Sequence, residues 1–236
     1  MTTRFWQVKA VLFDWDGTLV DSLPVKVHNT GRLFQQAYGL HPDKVEASYR
    51  KHSGVPRRQL FDAILDECGL AGMDEATFQR MSSEFSGMNR EALTNPGMDG
   101  VVRPGSRETL GRLLELGCRL FVSSAADGAE VRFLADQLGL GGYFDRSGGE
   151  VLGSHSGFGK GRGHVEYICK EYHLKPHALL FIGDDLADIR LGKEAGVYTV
   201  SLAGSRDKDA LLVGGAQSVI DSLEEVLSLP GVRLGK

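Results

Sequence analysis

One stretch limits the folds open to this chain more than any other. An apolar run over residues 8–13, broken only by Lys9, stops on Asp14-Trp15-Asp16-Gly17-Thr18. A short apolar run of this kind reads as a buried strand. In open α/β sheets the carboxyl edge of such a strand is where ligands bind. A turn at Gly17 can bring both carboxylates towards one point. Two carboxylates held together repel and lift one pKa unless a cation lies between them. The pattern therefore asks for a hard metal ion, a shared proton, or both. For an isolated D-x-D, an Asx-type turn is the plain alternative.

The rest of the chain repeats the strand-then-helix rhythm. After Ser22, a candidate cap, Pro24 suits the first turn of a helix with Val27, Leu33, Phe34 and Ala37 on one side. From Pro42 to about Ala92 no strand is evident. Leu60, Phe61, Ile64, Leu65 and Cys68 recur at helical spacing, as do Phe78, Met81, Phe85 and Met88. Asn95-Pro96-Gly97-Met98-Asp99-Gly100 is turn-rich and marks a return hinge. Strands are then predicted at 119–122, 178–182 and 198–202. Helices are predicted after Pro104-Gly105 and at 129–140, 164–173, 187–195 and 222–229. The segment from Gly148 to Gly163 holds seven glycines and reads as a loop within one core. This alternation indicates an α/β fold, a doubly wound parallel sheet, with an all-helical insert. The expected division is 1–20 plus 95–236 for the sheet domain and 21–94 for the insert.

Bulk properties narrow the partners. A formal net charge of -4 leaves no electrostatic footprint for nucleic acid, and no basic run suits a membrane surface. No apolar run reaches the length of a membrane span, and the first residues lack a signal-peptide pattern. Cys68, Cys118 and Cys169 are far apart and in no metal-ligand spacing, so buried thiols in a reducing compartment are expected. The expected location is cytoplasmic.

Four clusters together carry a resemblance. D-x-D-G-T-L-V-D-S at Asp14–Ser22 resembles the opening motif of the haloacid dehalogenase superfamily. Leu120-Phe121-Val122-Ser123-Ser124, Phe158-Gly159-Lys160-Gly161 and Leu179-Leu180-Phe181-Ile182-Gly183-Asp184-Asp185-Leu186-Ala187-Asp188 follow in that family's order. The resemblance implies a Rossmann-like core with a helical cap, closest to the phosphoglycolate phosphatase-like branch. It also implies Mg²⁺ as cofactor and a small phosphorylated metabolite as substrate. Asp14 would be the nucleophile and Asp16 the general acid and base, with the Asp16 carbonyl a metal ligand. Asp184 would be a second carboxylate ligand, and Asp188 a ligand or supporting acid, with Asp185 its competitor. Ser123, Ser124, Thr18 and Lys160 would hold the phosphoryl group. Relatives usually carry proline after this lysine, where this chain has Gly161.

The helical insert is expected to act as a mobile cap that sets specificity. Ser53-Gly54-Val55-Pro56-Arg57 resembles the Gly-x-x-Arg segment by which some capped relatives touch substrate. Arg57 is therefore the cap candidate, ahead of His52 and Arg58, although an exposed arginine at a helix start is the plain alternative. Asp16 argues against a haloacid dehalogenase and against a phosphonoacetaldehyde hydrolase, both of which lack an acid there. The expected activity is a phosphatase working through an aspartyl-phosphate. A phosphomutase of the β-phosphoglucomutase type and a non-catalytic phospho-ligand-binding protein are the alternatives. A monomer or homodimer is expected.

Overall fold

The computed structural model describes residues 6–95, 100–155, 157–204 and 206–235. Contacts divide the chain into two compact units, Met1–Asp21 with Val102–Lys236, and Ser22–Val101. Most of the predicted hinge, residues 96–99, lies outside the described residues.

The apolar run at 8–13 is two strands rather than one. β1 (Trp6–Val8) pairs with the far end of the chain, and β2 (Ala10–Phe13) enters the main sheet, with Lys9 at the break. Lys9 still bonds outward, its N–H to Ala178 O at 2.8 Å and its carbonyl to Arg119 N at 3.0 Å.

The second unit contains α1 (Leu23–Tyr38), α2 (Pro42–Lys51), α3 (Arg57–Glu67) and α4 (Glu75–Leu93). Its core is the predicted apolar set, including Val27, Leu33, Phe34, Leu60, Ile64, Met81 and Phe85. The Phe61 ring meets Phe34 edge-on at 5.1 Å and Phe85 at 5.8 Å, the geometry aromatic quadrupoles favour. Gly39 stops α1 in the left-handed conformation, φ 68°.

The first unit resumes with α5 (Ser106–Glu115), β3 (Arg119–Ser123), α6 (Gly128–Gln137), α7 (Gly141–Ser147), β4 (Val151–Leu152), α8 (Arg162–Glu171), β5 (Leu179–Gly183), α9 (Leu186–Ala195), β6 (Tyr198–Leu202), α10 (Lys208–Gly214), β7 (Ser218–Ile220) and β8 (Val232–Leu234). Six strands form a wholly parallel sheet in the order β4-β3-β2-β5-β6-β7. β2, β5 and β6 are buried at every residue, as a parallel strand covered on both faces requires. Ala10, Leu12, Phe121, Phe181, Val165 and Ile168 form the core between sheet and α8.

Several elements depart from the sequence reading. The glycine-rich segment contains the edge strand β4, too short for its periodicity to register. The closing helix is a 3₁₀ segment, Leu223–Ser228. Cys118 is buried, whereas Cys68 and Cys169 are only half-buried; all three are free thiols. Among the described residues, no helix is long and apolar enough to cross a membrane.

Register positions the site. Phe13 lies opposite both Val122 of β3 and Ile182 of β5. Asp14, Ser123 and Gly183 therefore leave the sheet at one level. β2 is also where strand order reverses, β3 on one side and β5 on the other, and the crevice outside such a switch point is where α/β sheets bind ligands.

Candidate active site

β2 carries Asp14 to the sheet edge, its N–H donating to Ile182 O at 2.8 Å. The chain then folds back tightly. Gly17 N–H donates to Val20 O at 2.8 Å, and the N–H groups of Leu19 and Val20 both reach Trp15 O at 3.1 Å. Gly17 adopts φ 86°, open to glycine at little cost. A Cβ there would sit 2.8 Å from Asp184 Cγ and nearer still to Oδ2. Arg103 secures the turn, donating from Nη1 to Gly17 O at 2.6 Å. Trp15 packs inward, fully buried, and Asp16 is half-buried on the same turn.

β5 delivers Asp184, and the first turn of α9 delivers Asp188. Carboxylate oxygens of Asp14, Asp184 and Asp188, all buried, lie within 4.8 Å of one another. Lys160, just ahead of α8, joins them: its Nζ is 2.7 Å from Asp14 Oδ1 and 2.6 Å from Asp188 Oδ1. The other Asp188 oxygen, Oδ2, accepts the N–H groups of Asp184 and Asp185, each at 3.2 Å. Asp188 is thus held on both oxygens, a support for its neighbours. Gly183 allows this approach, since a Cβ there would run into the Asp188 carboxylate. Asp185 turns elsewhere, capping α9 through Ala187 N–H at 3.0 Å and pairing with Arg206 at 3.1 Å.

Charge decides what else the site can hold. Burial pushes the Asp14 carboxyl well above its ordinary range; Lys160 opposes this, while Asp188, Asp184 and Asp16 add to it. Burial would also discharge Lys160, but Asp14 and Asp188 outweigh it and raise the ammonium above its usual pKa. With all three buried carboxylates ionised, one ammonium would leave two negative charges uncompensated. An all-oxygen donor set with that deficit fits a hard divalent cation.

The hydroxyls sort by their partners. Thr18 Oγ1 donates to Asp184 Oδ1 at 3.2 Å, steadying that carboxylate. Ser123 Oγ lies 2.9 Å from His164 Nδ1, and His164 Nε2 lies 3.2 Å from Gly153 O. A carbonyl only accepts, so Nε2 carries the ring proton, Nδ1 is bare, and Ser123 must donate to it. Burial lowers His164 to about 4, which keeps the ring neutral. Ser124 Oγ instead accepts from Ala126 N–H at 3.1 Å. His164 was legible in the sequence only as a residue of a predicted helix, and nothing there pointed to Ser123.

In the helical unit, Arg57 Nη1 donates to Ser82 O at 3.1 Å, Ser82 Oγ at 2.9 Å and Ser86 Oγ at 2.8 Å. Its guanidinium lies 5.0 Å over the Phe85 ring. Arg58 binds Asp62 and Glu75, and His52 faces Glu67 at 2.9 Å.

Residues 8–196 match the family of haloacid dehalogenase-like hydrolases. A phosphoglycolate phosphatase of Chromobacterium violaceum is 29% identical over 224 residues, 94% of this chain and 96% of that protein. An N-acetylmuramic acid 6-phosphate phosphatase of Pseudomonas aeruginosa is 28% identical over 228 residues, 94% and 95% of the two chains. The crystal structure of a predicted phosphoglycolate phosphatase from Haemophilus somnus superposes with a TM-score of 0.76 at 23% identity, covering 94% of this chain and 97% of that one, a likeness of fold.

Proposed function

The chain belongs to the haloacid dehalogenase-like hydrolase family and is a phosphatase of that family; on that premise we propose that it hydrolyses small phosphorylated metabolites with magnesium, through a phosphate ester of Asp14. The observation that carries this reading is the buried cluster of Asp14, Asp184 and Asp188 around the Lys160 ammonium. Relatives named for two different phosphate esters match at 29% and 28% identity. What the two names share is the substrate class, a small phosphorylated metabolite.

Asp14, the Asp16 carbonyl and Asp184 would hold the ion, with Asp188 and Thr18 steadying them. Magnesium, when bound, supplies the positive charge that keeps Asp14 ionised and neutralises phosphoryl oxygens. An Asp14 oxygen attacks phosphorus in line, and the bond from phosphorus to the ester oxygen breaks. Asp16 gives its proton to the departing oxygen, which leaves as an alcohol. Water then attacks phosphorus and loses a proton to Asp16. The bond between phosphorus and Asp14 breaks, returning the carboxylate and inorganic phosphate. Lys160 and the Ser124 hydroxyl would hold the phosphoryl oxygens throughout. Ser123 is left out of that role, because its proton goes to His164.

Hydrolysis of p-nitrophenyl phosphate by wild type and Asp14→Asn, with and without magnesium, tests the proposal. Wild type should turn over only with the metal, and Asp14→Asn should not turn over at all. Equal rates for the two proteins would count against it.

A further inference from the structure

Lys160 and Ser124 stand on separate segments, and the residue after the lysine is glycine. Gly161 takes φ 84° and ψ −119°, a region closed to proline and rarely entered by any residue with a Cβ. No ring stiffens the chain there, so the lysine needs another anchor.

Ser154 provides one. Lys160 N–H donates to Ser154 Oγ at 3.1 Å, and that hydroxyl donates to Ser124 O at 2.9 Å. A single hydroxyl thereby joins the backbones of both residues. Ser154 is itself fixed by its N–H to Ala126 O, 2.8 Å. A second strut runs beneath it: Ser123 to His164 to Gly153 O, binding the end of β3, the loop and the first turn of α8. The His164 ring packs against Phe158 with centroids 4.6 Å apart. Phe158 in turn exchanges two backbone hydrogen bonds with His155, at 2.8 and 3.0 Å.

We propose that Ser154 and His164 are positioning residues, a polar brace that fixes Lys160 and Ser124 relative to each other so that both donors meet one phosphoryl group. This rests on the reading that those two residues hold the phosphoryl oxygens. Neither brace residue touches substrate; each acts through the donors it locates. Misplacement of a reacting or binding group by about 1 Å can cost ~100-fold in rate, which sets the scale of the effect.

The test compares wild type, Ser154→Ala and Ser154→Thr on p-nitrophenyl phosphate, with inorganic phosphate as competing inhibitor. Ser154→Ala should lose about 10- to 100-fold in kcat/KM, and inorganic phosphate should inhibit it more weakly. Ser154→Thr, which keeps the hydroxyl, should recover most of the loss. If the alanine variant does not fold, Ser154→Cys, a weaker donor, carries the comparison with an intermediate loss expected. An active wild type matched by Ser154→Ala or Ser154→Cys in rate and phosphate inhibition overturns the brace alone. A wild type that hydrolyses nothing overturns the underlying reading and the brace with it. Nitrogen-15 NMR of wild-type His164 gives an independent check: protonation at Nε2 is expected, and protonation at Nδ1 overturns the proposal whatever the variants do.

Discussion

Gly17→Ala separates backbone strain from damage to the site. Gly17 sits at φ 86°, where an L-residue with a Cβ costs about 1–2 kcal/mol. The new methyl would also start 2.8 Å from Asp184 Cγ and 2.9 Å from Oδ1. The nearest atom, Oδ2, must retreat by about 1 Å to reach ordinary contact near ~3.4 Å, and on the scale of rate lost per ångström this predicts a fall of about 100-fold in kcat/KM. Because Asp184 is the displaced group, half-activation should also need more magnesium. Gly148→Ala is the control: φ is 70° there, but a Cβ would meet nothing within 4 Å. Both variants should lose stability in urea unfolding, Gly17→Ala the more because of the contact, and only Gly17→Ala should lose activity. Equal activity in the two, with equal magnesium requirement, would refute the argument that Gly17 is required by Asp184.

His164 makes stability depend on pH. Its folded pKa of about 4 lies below the ordinary value near ~6.5, so the unfolded chain takes up a proton first as pH falls. Its contribution is therefore whole above about pH 6.5 and shrinks towards pH 4, with roughly 2 kcal/mol gone by pH 5. Urea unfolding at pH 7 and 5 should show this loss in wild type and not in His164→Gln; parallel losses would contradict it. Ser124→Ala should lower kcat/KM by about 10-fold or more. Ser123→Ala should act mainly on stability, because it leaves His164 Nδ1 buried and unpaired, worth about 1–3 kcal/mol. Steady-state rates and urea midpoints for the pair would decide, and the reverse pattern would return the phosphoryl role to Ser123.

The sheet was legible because its strands are buried on both faces and are mostly apolar, without a break at Leu179–Gly183 and with Thr199 and Ser201 interleaved at Tyr198–Leu202. The acids were legible because each ends such a strand or begins the following helix. What stayed hidden was how neighbours divide their bonds. Asp185 and Asp188 are equivalent on paper, yet only Asp188 reaches Lys160, while Asp185 caps α9 and meets Arg206. Ser123 and Ser124 are adjacent, and a histidine forty-one residues further along the chain separates their roles. Such pairings depend on which way side chains leave the backbone, information that neither spacing nor periodicity carries.

The claim beneath all of this is one divalent ion shared by acids from β2 and β5. Equilibrium binding of Mn²⁺, a paramagnetic stand-in for magnesium, measures it in wild type, Asp14→Asn and Asp184→Asn. One ion per wild-type chain, bound far more weakly by both variants, is the predicted result. Binding that survives both substitutions, or a folded wild type that takes up no ion, would contradict it.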